Sequence, residues 1–223
     1  MPLRGACCVP VASNVRLQKM LSDVPSPIDL RLMRDAREWE ETAMSKRPWR
    51  TEFFEAFASE ILSNGISVRR ILELGSGPGF LAEHLLGALP PVEYVALDFS
   101  SAMHELATKR LGFLGSSVQF VERSFREPGW SNGLGQFGCI VTNQAVHELR
   151  HQRYAAELHQ QVRSLLLPGG AYLVCDHFAG EGGMKNDQLY MSVAEQAAAL
   201  ASAGFSKVDQ VLLKGGLVLH HAT

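Results

Sequence analysis

Apolar residues in the middle of the chain recur with two alternating periods, which predict strands separated by helices. Arg69 to Leu74 turns apolar like a buried parallel strand, and Leu81 to Leu89 follows with helical three-to-four spacing. Val92 to Asp98 and Val118 to Glu122 are further short apolar runs, and Ala102 to Phe113 is a helical pattern between them. Strands that alternate with helices predict a parallel sheet covered on both faces.

The second half of the chain continues this alternation and closes with a hairpin. The predicted elements are strands at Phe137–Thr142 and Ala171–Cys175, a helix at Val193–Ala203, and two strands at Val208–Leu213 and Leu217–His221. Gly215-Gly216 divides the last two strands in the manner of a tight turn.

A further helix is predicted between the fourth and fifth strands, at Arg150–Leu167. Its apolar positions form one stripe, which consists of Tyr154, Leu158, Val162 and Leu165. His151 and His159 lie off that stripe, so we expect both on the surface.

The residues before the first strand divide into an arm and two helices. Val24-Pro-Ser-Pro27 is typical of a linker. Asp29–Ala43 predicts a charged helix, and Thr51 is a candidate cap for a second helix that contains Phe53 and ends at Asn64-Gly65. We therefore expect a flexible arm at 1–28, helices that cover the site at 29–66 and the main domain at 67–223. A transit peptide is the alternative for the arm, because it is basic, but no long amphipathic pattern accompanies its charges.

Composition and charge limit the classes of function. The 223 residues are 46% hydrophobic and 20% charged, with a formal net charge of -2, so a single globular domain is expected and nucleic acid is not the default partner. No transmembrane run and no signal peptide is evident, which favours the cytosol and no membrane partner. The four cysteines show no Cys-x-x-Cys spacing, and we expect no metal.

The stretch Glu73-Leu-Gly-Ser-Gly-Pro-Gly79 joins the first strand to its helix. Glycine tolerates positive φ and lets bare backbone approach a ligand. A carboxylate two residues before the first glycine would repel a diphosphate but could receive an ammonium group. Asp98 follows Gly79 by 19 residues, at the end of the second strand, where a carboxylate can accept hydrogen bonds from ribose hydroxyls.

Glu73-Leu-Gly-Ser-Gly-Pro-Gly79 resembles motif I of the class I S-adenosylmethionine-dependent methyltransferases, and Leu167-Pro-Gly-Gly170 before an apolar strand resembles another motif of that family. The resemblance implies a three-layer α/β Rossmann-like fold whose seven strands have the order 3-2-1-4-5-7-6, with strand 7 antiparallel. It also implies S-adenosyl-L-methionine as cofactor. The residues expected to bind it are Glu73, Gly75, Ser76, Gly77, Gly79, Asp98, Phe99, Ser100, Met103, Ser124, Phe125 and Asn143.

Two departures from the family pattern bear on the ligands. The aspartate that the family commonly places near the adenine amino group is replaced here by Ser124, so the Ser124 hydroxyl, the Phe125 amide or an apolar sandwich would have to substitute for it. Asn143-Gln144-Ala145-Val146 also differs from the Asn-Pro-Pro-Tyr tetrapeptide of members that act on adenine or glutamine amides. A nucleic-acid substrate is therefore disfavoured.

Two histidines follow strands whose carboxyl ends should face the ligands. His147 is the first candidate for a general base and His177, beside Asp176, is the second; the alternative for each is a structural or exposed histidine. Glu148 could orient His147 or simply favour a helix start. Trp39 and Trp49 are candidates for an apolar pocket wall, although ordinary packing is favoured for both.

The sequence thus predicts an enzyme that transfers a methyl group from S-adenosylmethionine to oxygen or nitrogen of a small molecule. Three alternatives stay open: an enzyme that uses the donor without methyl transfer, a nicotinamide-dependent Rossmann oxidoreductase, and a donor-binding scaffold without catalysis. Neither the acceptor nor the oligomeric state follows from the sequence.

Overall fold

The computed structural model describes residues 22–63 and 68–223 of the chain. Most of the predicted flexible arm lies outside these residues, and so do the predicted helix end at Asn64-Gly65 and the cysteines Cys7 and Cys8. Within the described ranges no helix is long and apolar enough to cross a membrane.

Six α-helices and seven strands make up the regular structure of the described residues. In chain order these are α1 (Met33–Lys46), α2 (Arg50–Ser63), β1 (Arg70–Leu74), α3 (Phe80–Ala88), β2 (Glu93–Asp98), α4 (Ser101–Leu111), β3 (Val118–Glu122), β4 (Phe137–Asn143), α5 (Ala155–Leu165), β5 (Leu166–His177), α6 (Val193–Ser202), β6 (Val208–Lys214) and β7 (Leu217–Ala222). Short 3₁₀ turns occupy Gly112–Ser117, Val146–Leu149 and Gln152–Tyr154.

The sheet has the order β3-β2-β1-β4-β5-β7-β6, which confirms the predicted topology. Strands β1 to β5 pair in parallel, whereas β7 pairs antiparallel with both β5 and β6. The strand order reverses between β1 and β4, where Leu74 lies opposite Thr142. In such sheets ligands bind in the crevice at the carboxyl ends of the strands beside this reversal.

Each face of the sheet carries its own apolar core, because successive side chains of a strand point to opposite faces. On one face Leu72 of β1 packs with Leu158 of α5 and Leu200 of α6. On the other face Ile71 packs with Phe53 of α2 and Leu85 of α3. Cys139 and Cys175 are buried in the second core, as predicted for free thiols that act as small apolar groups.

The two N-terminal helices are packed onto the domain. Phe53, Phe54 and Phe57 of α2 are buried in the core of one sheet face, and Ala36 of α1 packs against Met103 on α4. Burial of a large aromatic side chain stabilises the fold by about 2–3 kcal/mol. These helices are therefore packed parts of the folded domain.

Several local predictions were wrong. His159 is buried against Tyr172, with ring centroids 5.6 Å apart, because β5 runs beneath that side of α5. Helix α5 starts at Ala155 instead of Arg150, since the two 3₁₀ turns precede it. Thr51 lies inside α2, so it is not the cap. Strand β5 begins at Leu166 instead of Ala171, because Leu166 already pairs with Phe137 before a register shift.

Candidate active site

A cavity of about 680 Å³ opens at the carboxyl ends of β1, β2, β4 and β5. Its lining includes the glycine loop after β1, Asp98 at the end of β2, the segment after β4, and His177 at the end of β5. Helices α1 and α2 contribute Trp39 and Arg50, and residues 24–28 supply a further wall. Residues predicted as donor-binding and residues predicted as catalytic thus share one cavity.

The glycine loop owes its shape to three left-handed backbone positions. Gly75, Gly77 and Gly79 have φ values of +67°, +53° and +81°. A Cβ on Gly75 would lie 2.3 Å from the Cβ of Ala145, so only glycine lets the loop approach the segment after β4. A Cβ on Gly77 would meet nothing within 4 Å, because that position faces open space in the cavity wall.

Two buried carboxyl groups flank this loop. Glu73 accepts a hydrogen bond from the Tyr94 hydroxyl at 2.8 Å, and burial raises the pKa of Glu73 to about 8. Asp98 accepts from the Gly77 amide at 2.8 Å and from the Ser100 amide at 2.9 Å, while burial raises its pKa to about 6. Asp98 therefore fixes the loop to the start of α4 through both of its oxygens.

Most of the predicted donor-binding residues line the cavity, and three do not. Those in the lining are Glu73, Gly75, Ser76, Gly77, Asp98, Phe99, Met103, Phe125 and Asn143. Gly79 is the N-cap of α3 and packs near Ala107. Ser100 is buried because its hydroxyl caps α4 by accepting from Met103 N. Ser124 lines a neighbouring cavity, together with Phe99 and Phe125.

His147 lies between two carboxylates. Its Nδ1 is 2.7 Å from Asp176 Oδ1, its backbone amide donates to Asp176 Oδ2 at 2.8 Å, and its Nε2 is 3.3 Å from Glu148 Oε1. Burial opposes the charged ring, but the two carboxylates outweigh it and raise the pKa of His147 to about 10. At neutral pH His147 is therefore an imidazolium, which donates hydrogen bonds and has to lose a proton before it can act as a base.

His177 lies beside this pair, and its ring stays neutral. The centroids of the His147 and His177 rings are 5.3 Å apart, and the Tyr190 ring lies 5.7 Å from each. Burial lowers the pKa of His177 to about 4. Ligand atoms of His147, Asp176 and His177 lie within 4.8 Å of one another, but Arg47 Nη2 lies 3.4 Å from His177 Nε2. Since a guanidinium repels a cation, we assign no metal to this cluster.

The cavity wall beside His177 carries a second arginine. Arg50 is the first residue of α2, is only 2% exposed, and donates from Nη2 to Gln144 Oε1 at 2.9 Å. Its guanidinium carbon lies 5.4 Å from the centre of the Trp39 ring. Trp39 thus lines the cavity, contrary to the favoured expectation of simple packing, whereas Trp49 packs against the β6–β7 turn at Gly215.

Residues 23–30, which we call the N-terminal strap, contribute residues 24–28 and Leu30 to the lining of the cavity. Arg150 anchors the strap by donating from Nε to the Val24 carbonyl at 2.8 Å and from Nη2 to the Pro25 carbonyl at 2.7 Å. Asp23 pairs with Arg126 and with Arg153. The end of the predicted flexible arm is thus part of the cavity wall.

Several site residues were not identified from the sequence. Arg47 and Arg50 lie between the two predicted N-terminal helices and match no motif, and Gln144, Arg150 and Tyr190 carry no local pattern that marks them. Two basic residues at the start of a helix, where a cation is unfavourable, are the one signal that was available.

The central part of the chain matches a known protein family. A family model described as "Methyltransferase domain" matches residues 71–170. A release factor glutamine methyltransferase of Deinococcus radiodurans is 33% identical over 186 residues, which cover 73% of this chain and 62% of the relative. A malonyl-[acyl-carrier protein] O-methyltransferase of Legionella pneumophila is 34% identical over 82 residues, or 37% of this chain and 28% of the relative. The chain thus spans less than two thirds of the length of these curated relatives.

Solved structures share the fold. The DhpI–SAH complex superposes with a TM-score of 0.65 at 22% identity, covering 86% of this chain and 94% of the other. The CMeT domain of the citrinin polyketide synthase superposes with a TM-score of 0.67 at 21% identity, covering 83% of this chain and 56% of the other.

Proposed function

We propose that the chain is a class I S-adenosylmethionine-dependent methyltransferase, which the match of residues 71–170 to a methyltransferase domain supports, and that it transfers a methyl group from S-adenosylmethionine to an oxygen or nitrogen atom of a small molecule. The observation that carries the proposal is the single cavity that joins the acid-flanked glycine loop to His147 and His177. A donor at the loop and an acceptor at the histidines would then meet within one space.

The residues of the glycine loop fit this donor. Gly77 leaves open space at the cavity wall, and Glu73 offers a carboxyl group to an ammonium. Ser76 Oγ and Asn143 Oδ1 are buried without a hydrogen-bond partner among the described residues, and such atoms are costly unless a ligand satisfies them. When bound, S-adenosylmethionine supplies a methyl group already activated by its positive sulfur.

The side chains of the site would then bind and orient the acceptor. A displacement of this kind gains most from holding the two reactants in line. His147 donates hydrogen bonds as a cation fixed by Asp176, and the neutral ring of His177 and the hydroxyl of Tyr190 border the same pocket. The strap and Trp39 line the same cavity. The predicted general-base role of His147 stays a prediction.

The size of the cavity favours a small acceptor. A volume of about 680 Å³ is within the range of sites for one drug-sized ligand. A nucleoside donor fills much of such a volume, which leaves space for a few further heavy atoms. The release factor methyltransferase of Deinococcus radiodurans acts on a glutamine according to its name. The segment after β4 in this chain is Asn143-Gln144-Ala145-Val146 instead of the Asn-Pro-Pro-Tyr of members that act on glutamine amides, which disfavours a glutamine acceptor here.

Calorimetric titration with S-adenosylhomocysteine tests the proposal, with the variant Gly77→Ala and a matched control, Gly133→Ala. Both glycines have positive φ, at +53° and +75°, and open space around a Cβ, but only Gly77 lines the cavity. The two variants therefore carry similar backbone strain, of about 1 kcal/mol.

We expect wild type and Gly133→Ala to bind alike and Gly77→Ala to bind at least tenfold more weakly. Absence of binding to the wild-type protein would overturn the proposal, and so would equal affinities of the two variants. Mass spectrometry of small-molecule mixtures incubated with S-adenosylmethionine then identifies which acceptor gains a methyl group.

A further inference from the structure

Two arginines at the acceptor end of the cavity have no acidic partner. Within residues 22–63 and 68–223, no carboxylate oxygen lies within 4.0 Å of the guanidinium of Arg47 or of Arg50. Arg47 contacts the neutral His177, and Arg50 contacts the amide of Gln144. Glu148 also lines the cavity, but it pairs with His147 and Arg150.

Of the two arginines, Arg50 has the greater need for a hydrogen-bonding partner. It is 2% exposed, and its Nε and Nη1 have no acceptor among the described residues. Burial, reinforced by the charge of Arg47, lowers the pKa of Arg50 to about 10, so the side chain stays charged at neutral pH. A buried charge without a partner is strongly unfavourable, and a protein retains one chiefly where a ligand completes the pair.

Neighbouring groups add to the positive potential. Arg50 begins the 14-residue helix α2, whose N-terminus carries a partial positive charge. His147 is cationic and His177 is neutral, so neither compensates the arginines. The opposite end of the cavity carries the carboxyl groups of Glu73 and Asp98. Glu148 and Asp176 also lie at the acceptor end, but both pair with His147, so they leave the charges of Arg47 and Arg50 without an acidic partner.

We propose that the methyl acceptor is an organic acid whose oxyanion, a carboxylate or a phosphonate, binds to Arg47 and Arg50 and is itself methylated. This inference rests on the proposed function and specifies its acceptor. Planar guanidinium groups suit both oxyanions, since each offers paired oxygen acceptors.

The reaction then needs no base. One oxyanion oxygen donates an electron pair to the methyl carbon, the carbon–sulfur bond breaks, and its electron pair stays on sulfur. An anion and a sulfonium cation become a neutral ester and a neutral thioether when the acid is a carboxylate. No proton is released, which agrees with a His147 that is already protonated.

The test is a titration of the protein saturated with S-adenosylhomocysteine, monitored by the indole N–H signal of Trp39 in a ¹H–¹⁵N spectrum. The ring of Trp39 lies 5.4 Å from the Arg50 guanidinium, and the distant Trp130, which donates to Gln161, serves as an internal reference. The probes are malonate and methylphosphonate, with the neutral malonamide as a matched comparison.

We expect both anions to shift the Trp39 signal and malonamide to leave it in place. Arg47→Gln should raise the dissociation constant for malonate at least tenfold, and Arg47→Lys should raise it less. Lys46→Gln removes the same charge from the adjacent, exposed position and should bind as the wild type does. Equal binding of malonamide and malonate, or equal effects of Arg47→Gln and Lys46→Gln, would overturn the inference.

The outcome separates the two proposals. If S-adenosylhomocysteine binds and neither anion does, the anionic acceptor is wrong while the proposed function stands. If S-adenosylhomocysteine does not bind, both fail. With a carboxylic acid that is methylated, and with S-adenosylmethionine saturating at every pH, we expect an initial rate that is flat from pH 6 to pH 8. A tenfold rise over that range would indicate a base and refute transfer to an oxyanion.

Discussion

Binding of S-adenosylhomocysteine at pH 7 is expected to expel a proton from Glu73. Burial raises the pKa of this carboxyl group to about 8, so about 0.9 of the molecules carry the proton at pH 7. An ammonium group placed beside a carboxylate lowers the pKa by about 1–3, which brings the pKa of Glu73 to between about 5 and 7 in the complex.

The size of the effect follows from these values. For a bound pKa of about 6, each binding event at pH 7 releases about 0.8 proton. Because the free protein has to lose that proton, affinity should rise about fivefold between pH 7 and pH 8. The direction is fixed, since a ligand that prefers the ionised carboxylate binds better as pH rises through the pKa of the free protein.

The assay is calorimetric titration at pH 7 in buffers of different ionisation enthalpy. The slope of the observed binding enthalpy against the buffer's ionisation enthalpy counts the protons released. Glu73→Gln is the matched control, because an amide keeps an oxygen that accepts from the Tyr94 hydroxyl but does not titrate. A slope near zero for the wild type, or the same slope for Glu73→Gln, would refute the reasoning.

Three further predictions concern stability and the strap. The two carboxylates that raise the pKa of His147 from 6.5 to about 10 stabilise the fold by at most about 5 kcal/mol. This stabilisation is fully present below pH 6.5 and is lost as pH approaches 10. The free energy of urea unfolding of the wild type should therefore exceed that of His147→Gln by less and less across that range. A constant difference would contradict the assignment. Gly75→Ala should destabilise by about 2–4 kcal/mol in the same assay, since its Cβ would lie 2.3 Å from Ala145 Cβ and its φ is +67°, whereas Gly133→Ala should cost only about 1 kcal/mol. Arg150→Lys removes the two guanidinium hydrogen bonds to the carbonyls of Val24 and Pro25. Amide hydrogen exchange of residues 23–30 should therefore become faster, while that of β1 stays the same. Unchanged exchange of residues 23–30 would mean that other contacts hold the strap.

The sheet could be predicted from the sequence because its signals are local. The apolar runs at β1, β2 and β4 are bounded by glycine turns or capping residues, and parallel strands bury both faces. The glycine loop was identified for the same reason, since backbone geometry with positive φ requires glycine at fixed positions. Asp98 was placed correctly in the cavity wall by its position at the end of a strand.

The acceptor end could not be predicted because it is assembled from distant parts of the chain. Arg47 meets His177 across 130 positions, and Arg50 meets Gln144 across 94. Periodicity carries no information on such contacts. His159 was misplaced for a related reason: a polar residue next to an apolar stripe is buried once β5 and its Tyr172 lie beneath the helix.

The two ends of the cavity also differ in where they are encoded. The glycine loop and Asp98 at the donor end fall within residues 71–170, the range that the family model matches. At the acceptor end, Arg47, Arg50 and His177 fall outside that range, and His147 falls inside it. Under the proposed function, substitutions in the flanking segments would alter the choice of acceptor while leaving the predicted donor loop unchanged. We expect evolutionary divergence of acceptor preference to be concentrated in those flanks, with the central segment inherited as a unit.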